Sequence, residues 1–552
     1  MASTEPSRPN HRIQHLLFRF PAFWLLLLCL VVYLRTLAGD FVMDDWPVIK
    51  ENTRITEIRH IPDYFTSGVW NNTDWAEEAN FTDKQLYRPL FLVTVNMGHH
   101  LWGNNPAGYH ALNILLHGIN TLLVFYLILE FIPRKNTSAA FFGAALFAVH
   151  PVHVESIAWI AGLTDPLVSL FLLSCFLLHK RHLRSGKNSY AYLALFCYAG
   201  GLLSKEVAIF FPFLIAFHDL LQNRFRSTRY IPYLALLAGY FVARSAALGQ
   251  GLDWASFDLQ RLPVLFEYLF RYIQLLVAPW PLEFYYDRPG SNWLAVTTGA
   301  IVLLACLISI YPSLRNQRTL PLFAFAWFTL TLLPALPIAL MEKPVFAIRV
   351  LYLPSVSLAL LASTVYLMPG MGTMAKRVGW CLIVFLAVIS IDESKDWKDD
   401  LVFYARASES SPMSAGAITG LARAYEREGD NTVAVKLYLK AVELPTKESD
   451  RLANLDSAAR ILGQDGKTKD SEYYYREILK SDPQRSSAWV GLGNNALARQ
   501  DNQQAIEFFK KAFQADPKNF IAPYNLALTY RRIGNLERAR YFENIARQLQ
   551  QP

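Results

Sequence analysis

Apolar runs long enough to cross a membrane recur along this chain, and no other feature constrains its fold as strongly. A hydrocarbon core about 30 Å thick needs about 20 apolar residues of helix. Such runs start near Leu16, Tyr109, Ala139, Thr164, Tyr190, Val207, Tyr230, Trp293, Leu320, Leu351 and Val378. A bilayer offers no water to backbone N–H and C=O groups, so a span must satisfy them internally, as helices do. The runs therefore predict an α-helical polytopic membrane domain of about eleven spans over residues 1–392. A hydrophobic content of 53% against 18% charged residues agrees with this reading. The basic N-terminal stretch lacks a small-residue cleavage pattern before its apolar run, so it predicts an uncleaved first span.

Orientation follows from the basic residues of short loops, which favour the cytoplasm. They cluster at Arg8 to Arg12, Arg134-Lys135, Lys180 to Lys187, Arg224 to Arg229, Arg315 to Arg318 and Lys376-Arg377. All fall on one side if LFEYLFRYIQLLVAPW, which carries Glu267, Arg271 and Gln274, lies at the interface and does not cross. The N-terminus is then cytoplasmic. A first loop, residues 39–106, and everything after Asp392 are placed outside. The excess of 53 Lys+Arg over 45 Asp+Glu is thus read as topology, and no nucleic-acid partner is expected. Cys29, Cys175, Cys197, Cys306 and Cys381 sit inside apolar runs without a C-x-x-C pair, which argues against a disulfide framework and a zinc site.

After Asp392 the composition turns polar and alanine-rich. SSAWVGLGNNALARQDNQQAIEFFKKAFQADP fits the tetratricopeptide pattern, and Leu492 and Leu526, like Ala505 and Ala539, are 34 residues apart. Four repeats are predicted, at about 415–448, 452–485, 486–519 and 520–552, after a linker over 393–414. Stacked repeats form a concave surface suited to polypeptide.

The predicted topology puts two adjacent carboxylates, Asp44 and Asp45 in FVMDDWPVIKEN, at the outer edge of the membrane. On the same side it gathers Arg88, Lys205, Arg244 and Arg349, with Arg288 and Lys343. Guanidinium groups bind phosphate bidentately and neutralise it as it leaves, so this set suits the phosphate of a lipid. Carboxylates beside a phosphate clamp suggest inverting glycosyl transfer from a lipid carrier, with one carboxylate as base. His150, His153, Glu155, Asp165 and Glu206 are candidates for lining the site. Neither G-x-x-x-x-G-K-[ST] nor G-x-G-x-x-G occurs, and no metal or other cofactor is expected.

FVMDDWPVIKEN, LYRPLFLVTVN with YHALNILLHGINTLLV, LFAVHPVHVESIAWIAGLTD, GLLSKE and AIRVLYLPSV resemble, in that order, motifs of the transmembrane and tetratricopeptide-repeat O-mannosyltransferases and their bacterial relatives. The resemblance implies a GT-C glycosyltransferase fold. It also implies transfer of a sugar, mannose in the characterised members, from a polyprenyl-phosphate carrier to Ser or Thr hydroxyls of proteins outside the cytoplasm. In that family an acidic pair in the first outer loop supplies the base, which maps onto Asp44 and Asp45. The expected setting is the bacterial inner membrane, or the ER membrane of a eukaryote, with the repeats in periplasm or lumen. Expected partners are the polyprenyl-phosphate sugar, membrane lipids and an acceptor polypeptide held by the repeats. Two alternatives stay open: transfer to a lipid or surface polysaccharide, and a non-catalytic membrane scaffold.

Overall fold

The computed structural model describes residues 20–73, 86–249, 258–279, 319–341, 346–368 and 370–550, with isolated positions at 282, 297, 301 and 304. The chain divides into two units, Met1–Phe403 and Tyr404–Pro552. No strand occurs among the described residues.

The first unit contains α1 (Pro21–Tyr33), α2 (Pro89–Trp102), α3 (Pro106–Phe131), α4 (Thr137–Val149), α5 (Val154–Ala158), α6 (Thr164–Ser185) and α7 (Asn188–Leu202). It continues with α8 (Phe211–Leu221), α9 (Ile231–Leu248), α10 (Leu262–Val277), α11 (Thr319–Leu332), α12 (Val356–Tyr366) and α13 (Thr373–Glu393). Among the described residues, six helical stretches are long and apolar enough to cross a membrane: Pro21–Ala38, Pro106–Phe131, Ala161–Ser185, Ser227–Leu248, Thr319–Leu340 and Thr373–Trp397. A seventh, Thr137–Val149 with Pro151–Ala158, is bent by 50°. The chain is therefore an integral membrane protein. Each apolar run predicted from sequence overlaps a helix, except the run starting near Trp293, most of which lies outside the described residues; α7, α8 and α12 are shorter than a span, so six or seven of the eleven expected spans are present among the described residues. Helix α2 is an addition: its residues fall within the predicted first loop.

The bend between α4 and α5 shows why the motif YHALNILLHGIN carries polar residues inside a span. Asn113, His117 and Asn120 lie three to four residues apart, on one face of α3. Pro151 removes a helix donor, and the broken backbone leaves carbonyls without helical partners. Asn113 Nδ2 donates to the carbonyls of Ile157 and Trp159 at 3.3 and 2.9 Å. His117 Nε2 meets Ala148 O at 3.0 Å, and Asn120 Nδ2 donates to Pro166 O at 2.8 Å. All three side chains are buried, and leaving such carbonyls unmade in a membrane costs several kcal/mol each. Asn113 and His117 thus hold the break open at a fixed geometry, while Asn120 ties α3 to the first turn of α6.

Helix α14 (Asp400–Ser410) runs through the division between the units. The second unit then pairs α15 (Ala415–Arg427) with α16 (Asn431–Val442), α17 (Glu448–Gln464) with α18 (Thr468–Ser481), α19 (Ser486–Ala498) with α20 (Asn502–Ala515), and α21 (Ile521–Arg532) with α22 (Leu536–Gln550). Side-chain caps start several of these helices: Ser414 accepts from Ala417 N–H, Asp430 from Val433 N–H and Asp501 from Gln504 N–H. Close approach depends on glycine. A Cβ on Gly491 would sit 2.1 Å from the Tyr475 ring, and one on Gly420 would sit 2.0 Å from the Tyr404 ring. Tyr404 precedes Gly420 by the same 16 residues that separate Tyr475 from Gly491. The stretch 393–414, read from sequence as a linker, therefore contains a helix that packs on α15 as α18 packs on α19.

Candidate active site

Asp44 and Asp45 follow the first span in a loop with a sharp internal turn. Asp45 is fully buried. Its Oδ2 accepts Val42 N–H at 3.0 Å and its Oδ1 accepts Ala161 N–H at 2.7 Å. Burial pushes its carboxyl well above the usual carboxylate range, against the opposing effect of those two N–H groups. With both oxygens engaged, Asp45 ties the loop to the WIAG turn after α5. Asp44 is only half-buried, so the two neighbours stand in different surroundings.

Gly162 lets that turn close. A Cβ there would lie 2.8 Å from Glu155 O, so a side chain would force the turn open. The tight turn brings Glu155, Trp159 and Ala161 together. Trp159 Nε1–H donates to Val42 O at 3.1 Å, and the Arg349 guanidinium lies 4.9 Å above the same indole ring.

Three ion pairs join residues singled out in the sequence. Arg88 meets Glu206 through Nη2–Oε2 at 2.8 Å and Nε–Oε2 at 3.2 Å. Lys205 Nζ meets Asp165 Oδ1 at 2.6 Å. Arg349 Nη1 pairs with Glu155 Oε1, and its backbone N–H donates to Glu155 Oε2 at 2.9 Å. Buried charges need such partners, because an uncompensated one costs several kcal/mol.

These pairs sense one another. Burial pulls the Lys205 ammonium below its ordinary range; Asp165 opposes this, while Arg88 and Arg349 add to the lowering. Burial also acts on Arg349, but the carboxylates of Glu155, Asp165 and, more weakly, Asp44 raise it above its usual value. Asp44 therefore lies within electrostatic reach of Arg349. Arg244 is buried one turn after Tyr240. The Tyr240 ring lies 5.9 Å from that of Tyr87 and within electrostatic reach of Arg88, Glu206 and Arg244. Arg288 and Lys343 lie outside the described residues.

The two histidines engage separate partners. His150 Nε2 contacts Leu276 O at 3.1 Å, and His153 Nε2 contacts Ser355 Oγ at 2.8 Å. Each ring pins the kink after α4 to another segment. Among the described residues, no three His, Cys, Asp or Glu side chains converge as a metal site would require. Trp159 was missed from sequence. Its position in SIAWIAG was legible, but its double contact with Val42 and Arg349 was not.

The sequence model of the family described as dolichyl-phosphate-mannose-protein mannosyltransferase matches residues 88–248, and tetratricopeptide-repeat models match 417–452 and 496–542. The mannosyltransferase match contains Arg88, Glu155, Asp165, Lys205, Glu206 and Arg244, and excludes Asp44, Asp45 and Arg349. The human protein O-mannosyl-transferase TMTC4 is 26% identical, over 76% of this chain and 66% of that one. Human TMTC3 is 23% identical, over 90% and 64%. Human TMTC1 reaches 36% identity over 34% of this chain and 19% of its own length. The chain thus spans just under two thirds of the length of the first two. A crystal structure of MamA matches 27% of this chain and 84% of that one at 16% identity, with a TM-score of 0.24, too low to argue from. With a mannosyltransferase match followed by repeat matches along one chain, the protein is similar to the protein O-mannosyl-transferases.

Proposed function

We propose that the protein transfers mannose from a polyprenyl-phosphate carrier to Ser or Thr hydroxyls of proteins on the extracytoplasmic face of its membrane, with inversion. The observation that carries this reading is the contrast between Asp45, whose two oxygens are occupied by backbone N–H groups, and half-buried Asp44, whose charge reaches Arg349. Asp44 is the base. Its carboxylate takes the proton of the acceptor hydroxyl, the hydroxyl oxygen bonds to the anomeric carbon from the face opposite the phosphate, and the bond from that carbon to the phosphate oxygen breaks. The electron pair leaves with the lipid phosphate, whose charge Arg349, Arg88, Lys205 and Arg244 offset.

The three ion pairs hold Arg88, Lys205 and Arg349 in place before donor arrives. Their carboxylates also keep the site's net charge low, so a phosphate is stabilised by oriented donors more than by bulk charge. The tetratricopeptide repeats recruit the acceptor polypeptide. Mass spectrometry of envelope or lumenal proteins from cells with and without this chain tests the proposal. A hexose increment on Ser or Thr should depend on the chain. Identical modification in both would contradict the proposal.

A further inference from the structure

Met43 has a left-handed backbone, at φ +55°. Side chains other than glycine rarely adopt that conformation, so surrounding structure must hold it. The holder comes from far along the chain. Met43 N–H donates to Asp400 Oδ1 at 2.8 Å, across 357 residues. Asp400 is itself buried.

The segment between α13 and α14 lies along the acidic loop on both sides of this bond. Asp40 N–H donates to Lys398 O at 2.7 Å. Trp397 stacks on Trp159, with ring centroids 6.1 Å apart, and Trp159 in turn holds Val42 O. On the other side of Met43, Asp45 is fixed by the N–H groups of Val42 and Ala161. Met43 is therefore set from both directions, and the residue it aims is Asp44.

We infer that Asp400 is a positioning residue for the proton transfer assigned to Asp44, acting by locking Met43 in its left-handed conformation. The inference rests on the function proposed above. Asp400 acts through the backbone, so its loss bears on the geometry of the base and leaves the donor-binding cations in place. What the lock requires is an acceptor oxygen at the Oδ1 position, which Asp400→Asn retains and Asp400→Ala removes. Glycine adopts positive φ at no steric cost, so Met43→Gly relieves the need for the lock.

The test compares full-length parent, Asp400→Ala, Asp400→Asn and the double variant Asp400→Ala/Met43→Gly. It reads transfer kinetics with polyprenyl-phosphate mannose, and hydrogen exchange of the peptide covering residues 40–48. Asp400→Ala should lose about tenfold in kcat with donor KM little changed, and its loop should exchange faster. Asp400→Asn should restore most of both. The double variant should regain part of kcat while exchange stays fast. Unchanged exchange in Asp400→Ala would overturn the lock. Loss of kcat and donor binding together, without rescue by either second variant, would reduce Asp400 to a structural role and overturn the inference. A parent protein that transfers no sugar would remove the function proposed above and the positioning role with it, while the exchange data would still show whether Asp400 holds the loop.

Discussion

Arg88 and Glu206, 118 residues apart, are joined by a forked ion pair at 2.8 to 3.3 Å. Burial raises the Glu206 carboxyl, but the Arg88 charge and hydrogen bonds outweigh it, so the group titrates below its ordinary value of 4.5. A depressed carboxylate contributes stability above its unfolded pKa and loses it as pH falls through the folded value. The parent should therefore melt at a higher temperature than Glu206→Gln by a constant margin above about pH 5. The margin should shrink as the pH falls below that. A margin that grows on acidification would contradict the pairing.

The pair also shows what the sequence could reveal and what it could not. Both residues, like Lys205 with Asp165 and Arg349 with Glu155, stood out as charges at the ends of apolar runs, because charge near a membrane needs a reason. Which cation meets which acid was not legible, since pairing depends on how helices pack between residues 40 to 194 positions apart. The repeats were legible in their 34-residue period, and six or seven of the spans in the length of their apolar runs. Asp400 was hidden by both habits of reading. It sits past the last apolar run and before the first repeat, in a stretch without periodicity, and its role arises only through a backbone N–H.

Asp45 should matter more for stability than its half-buried neighbour Asp44. Asp45→Asn replaces one of two accepting oxygens by an amide N–H that opposes the N–H of Val42 or Ala161. Leaving a buried donor unmatched costs about 1–3 kcal/mol. Thermal unfolding in detergent should fall for Asp45→Asn and stay near parent for Asp44→Asn, and equal melting of all three would contradict the buried assignment.

Repeat packing gives an independent check. A Cβ on Gly493 would lie 2.4 Å from the Phe509 ring, so Gly493→Trp should overpack the α19–α20 pair by about 1–3 kcal/mol. Limited proteolysis should cut the repeats faster while membrane insertion persists, and transfer to whole-protein acceptors should drop. Full transfer with disrupted repeats would remove their proposed part in recruiting acceptor.

Sidedness follows from the basic loops. A reporter active only outside the cytoplasm should be active when fused after Pro552, and inactive when inserted within Lys180 to Lys187. The reverse pattern would place Asp44 in the cytoplasm and overturn the extracytoplasmic reaction.

The central claim is that Asp44 is the base, and the most direct measurement is the transfer rate of purified Asp44→Asn beside the parent, with donor binding measured on the same samples. Removing a general base costs about 100-fold to 10,000-fold in rate, and the amide keeps the size of the side chain. The account predicts a loss of that order with folding, insertion and donor affinity near parent values. Transfer by Asp44→Asn at the parent rate would contradict it.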